Sequence, residues 1–307
     1  MRHCISLEEF SGEEIQNIVK LALKLKQQPS AFEGVFKGRS LLMLFQKTST
    51  RTRLSFEIGF GRLGGQVVMM NWDTSNFAIS PLEYEALYVS RQTDLLMARL
   101  KHHADIQNLA RHSIVPVING CDDKFHPCQA LADLLTIYEH AGTFKGQTLT
   151  YVGIHNNVSN SLAGALTAVG AKIILVTPEV NPAADDPERM ERLSATGLME
   201  RTMDLRAAVA KSGWVYTDTW VDMEFYHDPA YQEEKQRRIA LMTPYQLNEK
   251  TLAGSKARIL HDMPIHPGFE ISQELVHDPR AMIFQQADNR LYAQQALMMV
   301  LLGIANG

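Results

Sequence analysis

The clearest local pattern in this 307-residue chain is Phe45-Gln46-Lys47-Thr48-Ser49-Thr50-Arg51-Thr52-Arg53-Leu54-Ser55-Phe56-Glu57. An apolar run, Leu41 to Phe45, predicts a buried strand before this polar turn. After the turn, apolar residues indicate a helix with one apolar face, namely Leu54, Phe56, Ile58, Phe60 and Leu63. The order is therefore strand, polar turn and helix start.

The start of this helix predicts a phosphate site. The first N–H groups of a helix have no partner within the helix, and the helix dipole adds partial positive charge there. Side-chain donors stand at the same place, namely Ser49, Thr50, Arg51 and Thr52. Amides and side chains together suit a phosphate group. The Gly-x-x-x-x-Gly-Lys run of a P-loop is absent. The alternative is a capped helix with solvated arginines.

Strands and helices alternate along the rest of the chain. Besides residues 40–45, strands are predicted at 66–70, 95–98, 115–118, 147–153, 172–177, 213–217 and 258–260. This alternation predicts parallel sheets with helices on their faces. We expect two α/β domains, 1–142 and 143–286, and a C-terminal segment, 287–307. The last helix is predicted over Leu291–Ile304, and polar loops are predicted at Asn71–Ser80 and Pro178–Pro187.

Composition excludes several classes of protein. The chain is 45% hydrophobic and 21% charged, with a formal net charge of -4, which does not suggest a nucleic-acid partner. No apolar run approaches the roughly 18 residues that span a bilayer, so no membrane association is expected. The N-terminus lacks an apolar signal core, and the three cysteines have no metal-ligand spacing. We therefore expect a cytoplasmic protein without a metal ion. Tyr151-Val152-Gly153-Ile154-His155-Asn156-Asn157 lacks the glycines of a nicotinamide site, so no cofactor is expected.

The turn at residues 49–57 resembles the carbamoyl-phosphate motif of the aspartate and ornithine carbamoyltransferases. Three later stretches agree with that family in order and spacing: His126-Pro127-Cys128-Gln129, Asp218-Thr219-Trp220-Val221-Asp222-Met223 and His261-Asp262-Met263-Pro264. The resemblance runs from about Leu7 to Gly303 and is closest to the ornithine branch. It implies a homotrimer or a multiple of trimers, and a last helix that crosses back to the first domain. The resemblance implies that the knotted acetylornithine and succinylornithine branches carry an insertion near residues 153–156. No residues are inserted there in this chain, so we expect it to be unknotted.

Carbamoyl transfer requires a bound phosphate, a stabilised carbonyl oxyanion and a neutral attacking amine, without a covalent intermediate. The resemblance implies that carbamoyl phosphate is bound by Ser49, Thr50, Arg51, Thr52, Arg99, His126, Gln129 and Arg290. Arg99 also ends an apolar strand, where α/β sheets place ligands. His126 and Gln129 lie three residues apart, about one helical turn. The residues expected to take part in catalysis are Thr52, Arg99, His126, Asp218 and Asp262.

The acceptor side departs from the family pattern. The ornithine branch has Asp-x-x-x-Ser-Met-Gly and His-Cys-Leu-Pro, whereas this chain has carboxylates at Asp222, Glu224 and Asp262. The acceptor-binding residues that the resemblance implies are Asn157, Asp218, Asp222, Met223, Asp262 and Met263. Asp262 is also a candidate base for the attacking amine, provided that burial or its acidic neighbours raise its pKa.

Ornithine is the default acceptor by resemblance. A more negative pocket would instead suit putrescine or another diamino acid. The alternative is that these carboxylates are sequence drift on solvated loops and do not change the acceptor. A further alternative is a relative that has lost catalysis and binds anions or regulates a partner. The complete set of carbamoyl-phosphate residues in the first domain argues against that alternative. Trp72 and Phe77 stand in a region that reaches a neighbouring subunit's site in the family, and we expect them to narrow that site or to pack in an interface.

Overall fold

The computed structural model describes residues 1–221 and 228–305. It contains two compact units. The first comprises Met1–His140 and the chain from Asp288 onward, and the second comprises Ala141–Ala287.

The first unit is built on a four-stranded parallel sheet in the order β2-β1-β3-β4. Its strands are β1 (Ser40–Phe45), β2 (Gln66–Asn71), β3 (Leu95–Arg99) and β4 (Val117–Asn119). Five helices accompany them: α1 (Gly12–Gln27), α2 (Thr50–Arg62), α3 (Leu82–Ser90), α4 (His103–His112) and α5 (Pro127–Ala141). Phe45 lies opposite Arg99 in the register of β1 and β3. The turn into α2 and the end of β3 therefore meet at the same carboxyl edge of the sheet.

The second unit is built on a five-stranded parallel sheet in the order β7-β6-β5-β8-β9. Its strands are β5 (Thr148–His155), β6 (Lys172–Val180), β7 (Met199–Arg201), β8 (Trp214–Thr217) and β9 (Arg258–His261). Its helices are α6 (Asn157–Ala168), α7 (Pro187–Ala195), α8 (Leu205–Ala210), α9 (Gln232–Met242) and α10 (Gln273–Val276). A buried apolar cluster on this sheet includes Val152, Val215 and Ile259. The side chains that follow β5, β8 and β9 are consequently gathered at one edge of the sheet.

The last helix, α11 (Ile283–Leu301), belongs mostly to the first unit. Asn289 Nδ2 donates to Thr136 Oγ1 of α5 (3.0 Å), and Gln295 Nε2 donates to the carbonyl oxygen of Gly59 in α2 (2.8 Å). The predicted fold class is confirmed, with two parallel sheets flanked by helices and a last helix that returns to the first unit.

Two predicted element boundaries are wrong. The last helix begins at Ile283 rather than Leu291, because fully buried positions of its first turns hold amides that apolar periodicity does not detect. One of them, Gln286, accepts the N–H of His261 through Oε1 (2.9 Å). The predicted loop at Pro178–Pro187 is also too long, because β6 continues to Val180. Pro178 is accommodated where the register between β5 and β6 shifts.

The end of α2 depends on two glycines. Gly64 has φ of +90°, a conformation that side chains rarely adopt, and a Cβ on Gly65 would lie 2.2 Å from the ring of Phe60. The helix therefore turns sharply into β2. None of the helices in the described part of the chain is both long and apolar enough to cross a membrane.

Candidate active site

The helix start predicted after the polar turn is present at α2. Ser49 is its N-cap, and Ser49 Oγ accepts the N–H of Thr52 (3.2 Å). The N–H of Gln46 donates to the carbonyl oxygen of Arg99 (2.9 Å), which fixes the turn against β3. A cleft of about 910 Å³ adjoins the turn, and its lining includes Lys47, Ser49 and Thr50. Helix start, hydroxyls and a cation thus line one cavity.

A buried chain of hydrogen bonds joins α2, α11 and α5. Arg290 Nη2 donates to Thr52 Oγ1 (2.7 Å), and Arg290 Nη1 donates to Gln129 Oε1 (2.8 Å). Gln129 Nε2 in turn donates to Asp133 Oδ1 (2.8 Å). Thr52, Gln129, Arg290 and Asp133 are all at most 3% exposed. Since Asp133 accepts from the amide nitrogen, the orientation of the Gln129 amide is fixed, and its oxygen faces the guanidinium.

His126 directly precedes α5 and lies among cations. Burial lowers the pKa of His126 well below its ordinary value, and the positive charges of Arg290, Arg99, Lys47 and Arg51 lower it further. The imidazole is therefore neutral at neutral pH and can still donate one hydrogen bond. Arg99 is only 6% exposed, and its Nε has no hydrogen-bond partner among the residues that the structure describes.

These groups form a concentrated positive site for an anion. Four cations act on one imidazole, and a helix start adds backbone donors to them. A phosphate dianion placed there would be stabilised by charge and by hydrogen bonds. A neutral histidine and buried guanidinium groups can also stabilise negative charge that develops on a carbonyl oxygen.

The candidate acceptor site lies in the second unit and begins with Asp218, directly after β8. Asn156 Nδ2 donates to Asp218 Oδ2 (2.6 Å), and the N–H of Thr219 donates to Asp218 Oδ1 (2.6 Å). Asn156 is itself the N-cap of α6, where its Oδ1 accepts the N–H groups of Val158 and Ser159. One asparagine therefore ties the start of α6 to the carboxyl end of β8.

Asp262 follows β9 and makes a side-chain hydrogen bond with Asp218. Burial raises the pKa of Asp218 well above its ordinary value, and the charge of Asp262 and their hydrogen bond raise it further. Two buried carboxyl groups in contact cannot both be ionised without a large cost. Asp218 therefore keeps its proton to a higher pH than an ordinary aspartate does.

His261 connects this pair to a further buried carboxylate. Its Nε2 donates to Glu270 Oε1 (3.0 Å), and its Nδ1 accepts the N–H of Met263 (2.9 Å). Burial lowers the pKa of His261, but hydrogen bonds and charges of Asp262 and Glu270 outweigh it and raise the pKa to about 9. In the neutral form of the ring, the Met263 contact leaves the proton on Nε2.

The predicted site residues of the first unit lie on or next to α2, β3, α5 and α11. In the second unit, Asn157 is the first residue of α6, and Met263 has φ of +63° beside His261. Asp222, Met223 and Glu224 lie outside the described residues. Sequence reasoning assigned no role to three buried residues, namely Asp133, His261 and Glu270. For Asp133, the available signal in the sequence was its position one helical turn after Gln129.

Comparisons with known proteins agree with this geometry. The carbamoyl-phosphate-binding domain of the aspartate/ornithine carbamoyltransferases matches residues 2–139, and the aspartate/ornithine-binding domain matches residues 145–301. The ornithine carbamoyltransferase of Archaeoglobus fulgidus is 38% identical over 311 residues, which cover 99% of this chain and 98% of that protein. The anabolic ornithine carbamoyltransferase of Pseudomonas aeruginosa is 38% identical over 307 residues, which cover 98% of this chain and 97% of that protein.

The fold comparison leads to the same family. The ornithine carbamoyltransferase from Pyrococcus furiosus superposes with a TM-score of 0.90 and 34% sequence identity, covering 99% of this chain and 98% of that one. The two matched domains span nearly all of the sequence. The chain therefore belongs to the aspartate/ornithine carbamoyltransferase family.

Proposed function

We propose that this protein transfers the carbamoyl group of carbamoyl phosphate to the δ-amino group of ornithine, giving citrulline and phosphate. The observation that carries the proposal is the buried chain Thr52–Arg290–Gln129–Asp133 beside a neutral His126 among four cations. Relatives named ornithine carbamoyltransferase are similar over the full length of the chain, which supports ornithine as the acceptor.

In this proposal the first unit, Met1–His140 with the chain from Asp288 onward, binds carbamoyl phosphate. Ser49, Thr50, Arg51 and Thr52 hold the phosphate group at the start of α2. Arg99, His126 and Arg290 donate to the carbonyl oxygen, where negative charge develops as the amine attacks. The oxygen of Gln129 accepts from the carbamoyl NH₂ group, for which its fixed orientation is suited. The C–N bond forms as the C–O bond to phosphate breaks, and phosphate leaves with that electron pair and takes up the proton that the attacking nitrogen loses.

The second unit, Ala141–Ala287, binds the amine in this proposal. Asn157 and Asp218 contact ornithine, and Met263, Asp222 and Met223 belong to the same predicted set. The ammonium group must lose a proton before its nitrogen can attack. The contact with Asp262 helps to raise the pKa of Asp218. A carboxylate with a raised pKa is a stronger base once it is ionised. His261 lies beside the pair, with its Nδ1 at 3.5 Å from Asp262 Oδ1, and Glu270 is hydrogen-bonded to the Nε2 of His261.

The carboxylate at Asp262 bears on the choice of acceptor. A separate ionised Asp262 would make the pocket more negative and favour a diamine such as putrescine. Because the contact with Asp262 raises the pKa of Asp218, the pair carries less negative charge than two separate ionised aspartates would. This charge count favours the family's default acceptor. Putrescine and other diamino acids are the second candidates, on the strength of Asp222 and Glu224 in the sequence.

We also propose that the protein assembles as a trimer or a multiple of trimers. Large apolar side chains are exposed on α2, β2, α3 and the preceding loop of the first unit: Leu54, Ile58, Val68, Ile79, Tyr84, Leu87 and Tyr88. A patch of this kind is typical of a surface that a second subunit covers. We place the protein in the cytoplasm, where buried thiols such as Cys4 and Cys128 persist in reduced form.

The test is a panel of amines assayed in parallel. Purified protein receives carbamoyl phosphate with ornithine, putrescine, lysine, aspartate or 2,3-diaminopropionate, and phosphate and the ureido product are measured. Turnover with ornithine, lost in Arg51→Ala, is the expected result. Turnover with putrescine alone would establish the second candidate. No turnover with any amine in a folded preparation would contradict the carbamoyltransferase proposal.

A further inference from the structure

A groove in the second unit carries four unpaired cations and lies away from the candidate acceptor site. Its volume is about 590 Å³, and its basic lining residues are Arg206, Lys250, Lys256 and Arg258. Hydroxyl groups of Ser212, Thr251 and Ser255 are also in the lining, and no acidic residue is. This size lies within the usual range of small-molecule sites, roughly 300–1,000 Å³.

Within the part of the chain that the structure describes, no salt bridge neutralises the four basic side chains. No carboxylate within residues 1–221 or 228–305 comes within 4.0 Å of them, although other basic residues nearby are paired. Lys211 is bound to Glu200 and Arg280 to Asp278, for example. The unpaired charges are therefore concentrated in the groove rather than spread over this face. Like charges that share a concave surface raise the local potential and attract anions.

The groove is built on well-anchored backbone. Arg280 Nη1 donates to the carbonyl oxygen of Ser255 (2.7 Å), and Thr251 Oγ1 donates to the carbonyl oxygen of Gln246 (3.0 Å). The guanidinium of Arg258 stacks over the ring of Trp214 at 5.4 Å from its centroid. These contacts hold the loop and one of the four cations in place before any ligand arrives, which lowers the entropic cost of binding.

The groove is separate from the candidate acceptor site. Trp214 and Arg258 begin β8 and β9, whereas Asp218 and Asp262 follow the ends of the same strands. Each strand has four residues, or roughly 13 Å of extended chain. An anion in the groove would therefore be at the opposite edge of the sheet from the carboxyl pair.

We propose that this groove binds a small polyanion that carries several phosphate groups. Three or more adjacent negative charges match four cations in a cleft better than a single phosphate or a carboxylate does. Arginine and lysine side chains are the groups that bind polyphosphates in proteins.

Calorimetric titration with inorganic triphosphate tests the proposal. Arg51→Ala serves as the background, so that binding at the start of α2 does not contribute. In that background we expect a single class of sites, and adding Lys250→Glu and Lys256→Glu should weaken binding by at least about tenfold. The matched control is Lys20→Glu with Lys24→Glu on α1, which changes charge equally at two exposed lysines and should leave binding within about threefold.

Three results would overturn the proposal: no binding of triphosphate, binding that survives the groove substitutions, or an equal loss in the α1 control. Titration with ATP distinguishes a nucleotide from an inorganic phosphate chain as the ligand. Tighter binding of ATP than of triphosphate would identify a nucleotide, and equal binding would identify the phosphate chain alone. In the wild-type background, Lys250→Glu with Lys256→Glu should leave kcat and KM without triphosphate unchanged, since neither residue belongs to the proposed active site.

Discussion

Replacing Thr52 by valine removes the hydroxyl that connects α2 to Arg290 while keeping the side-chain shape. Thr52 is fully buried, and its Oγ1 accepts from Arg290 Nη2 at 2.7 Å. A hydrogen bond to a charged group contributes about 1.5–3 kcal/mol. If the hydroxyl acts as proposed, Thr52→Val should lower kcat/KM for carbamoyl phosphate by about 10- to 150-fold, since 1.4 kcal/mol corresponds to a factor of ten.

The same substitution should lower the free energy of unfolding by about 1–3 kcal/mol, because it leaves a guanidinium N–H buried without its acceptor. Thr52→Ser is the matched control, as it retains the hydroxyl and loses one methyl group. It should cost about 1 kcal/mol in stability and keep kcat/KM within about threefold of the wild type. Steady-state kinetics and urea unfolding of the three proteins give both quantities. Equal kcat/KM in Thr52→Val and Thr52→Ser would refute a role for the hydroxyl.

Three further predictions concern acid stability, the carboxyl pair and assembly. Burial and the charges of Arg201 and Arg189 lower the pKa of His155 to about 4, so protonation of His155 should cost about 3 kcal/mol of stability as pH falls from 6.5 to 4. The free energy of unfolding of His155→Gln, measured at both pH values, should lack that loss. A pH dependence identical to that of the wild type would contradict the assignment. Asp262→Asn should lower the pKa of Asp218 and move the acidic limb of kcat/KM to lower pH; an unmoved limb would count against the pair as the base. Ile79→Lys with Tyr88→Lys should reduce the mass found by light scattering, whereas Ile114→Lys, at another exposed apolar residue, should not.

The sequence predicted most strands because their apolar runs are continuous and their polar ends are abrupt. Ser40–Phe45 is predicted to the residue, since a buried parallel strand needs apolar side chains on both faces. The start of α11 was missed for the opposite reason. Gln286 and Asn289 are fully buried polar residues that hydrogen-bond to distant segments. Apolar periodicity cannot recognise a buried position that is satisfied by a tertiary partner.

The candidate site likewise has a part that the local sequence predicts and a part that depends on tertiary contacts. Motifs located Thr52, Gln129 and Arg290, but which atoms meet depends on the packing of α11 against α2 and α5. Asp262 had a conditional role, because its contact with Asp218 joins positions 44 residues apart and no local pattern reports it. Long-range pairs set the protonation state of the site, and those pairs are a property of the fold.

The position of Arg290 on α11 has a consequence for biosynthesis. All four strands of the first unit and its helices α1 to α5 are complete by residue 141, yet the guanidinium that joins Thr52 to Gln129 is added only after the second unit has been synthesised. A nascent chain can form the first sheet early, because domains generally fold as units during synthesis. Until α11 has left the ribosome, Thr52 and Gln129 lack the guanidinium that joins them.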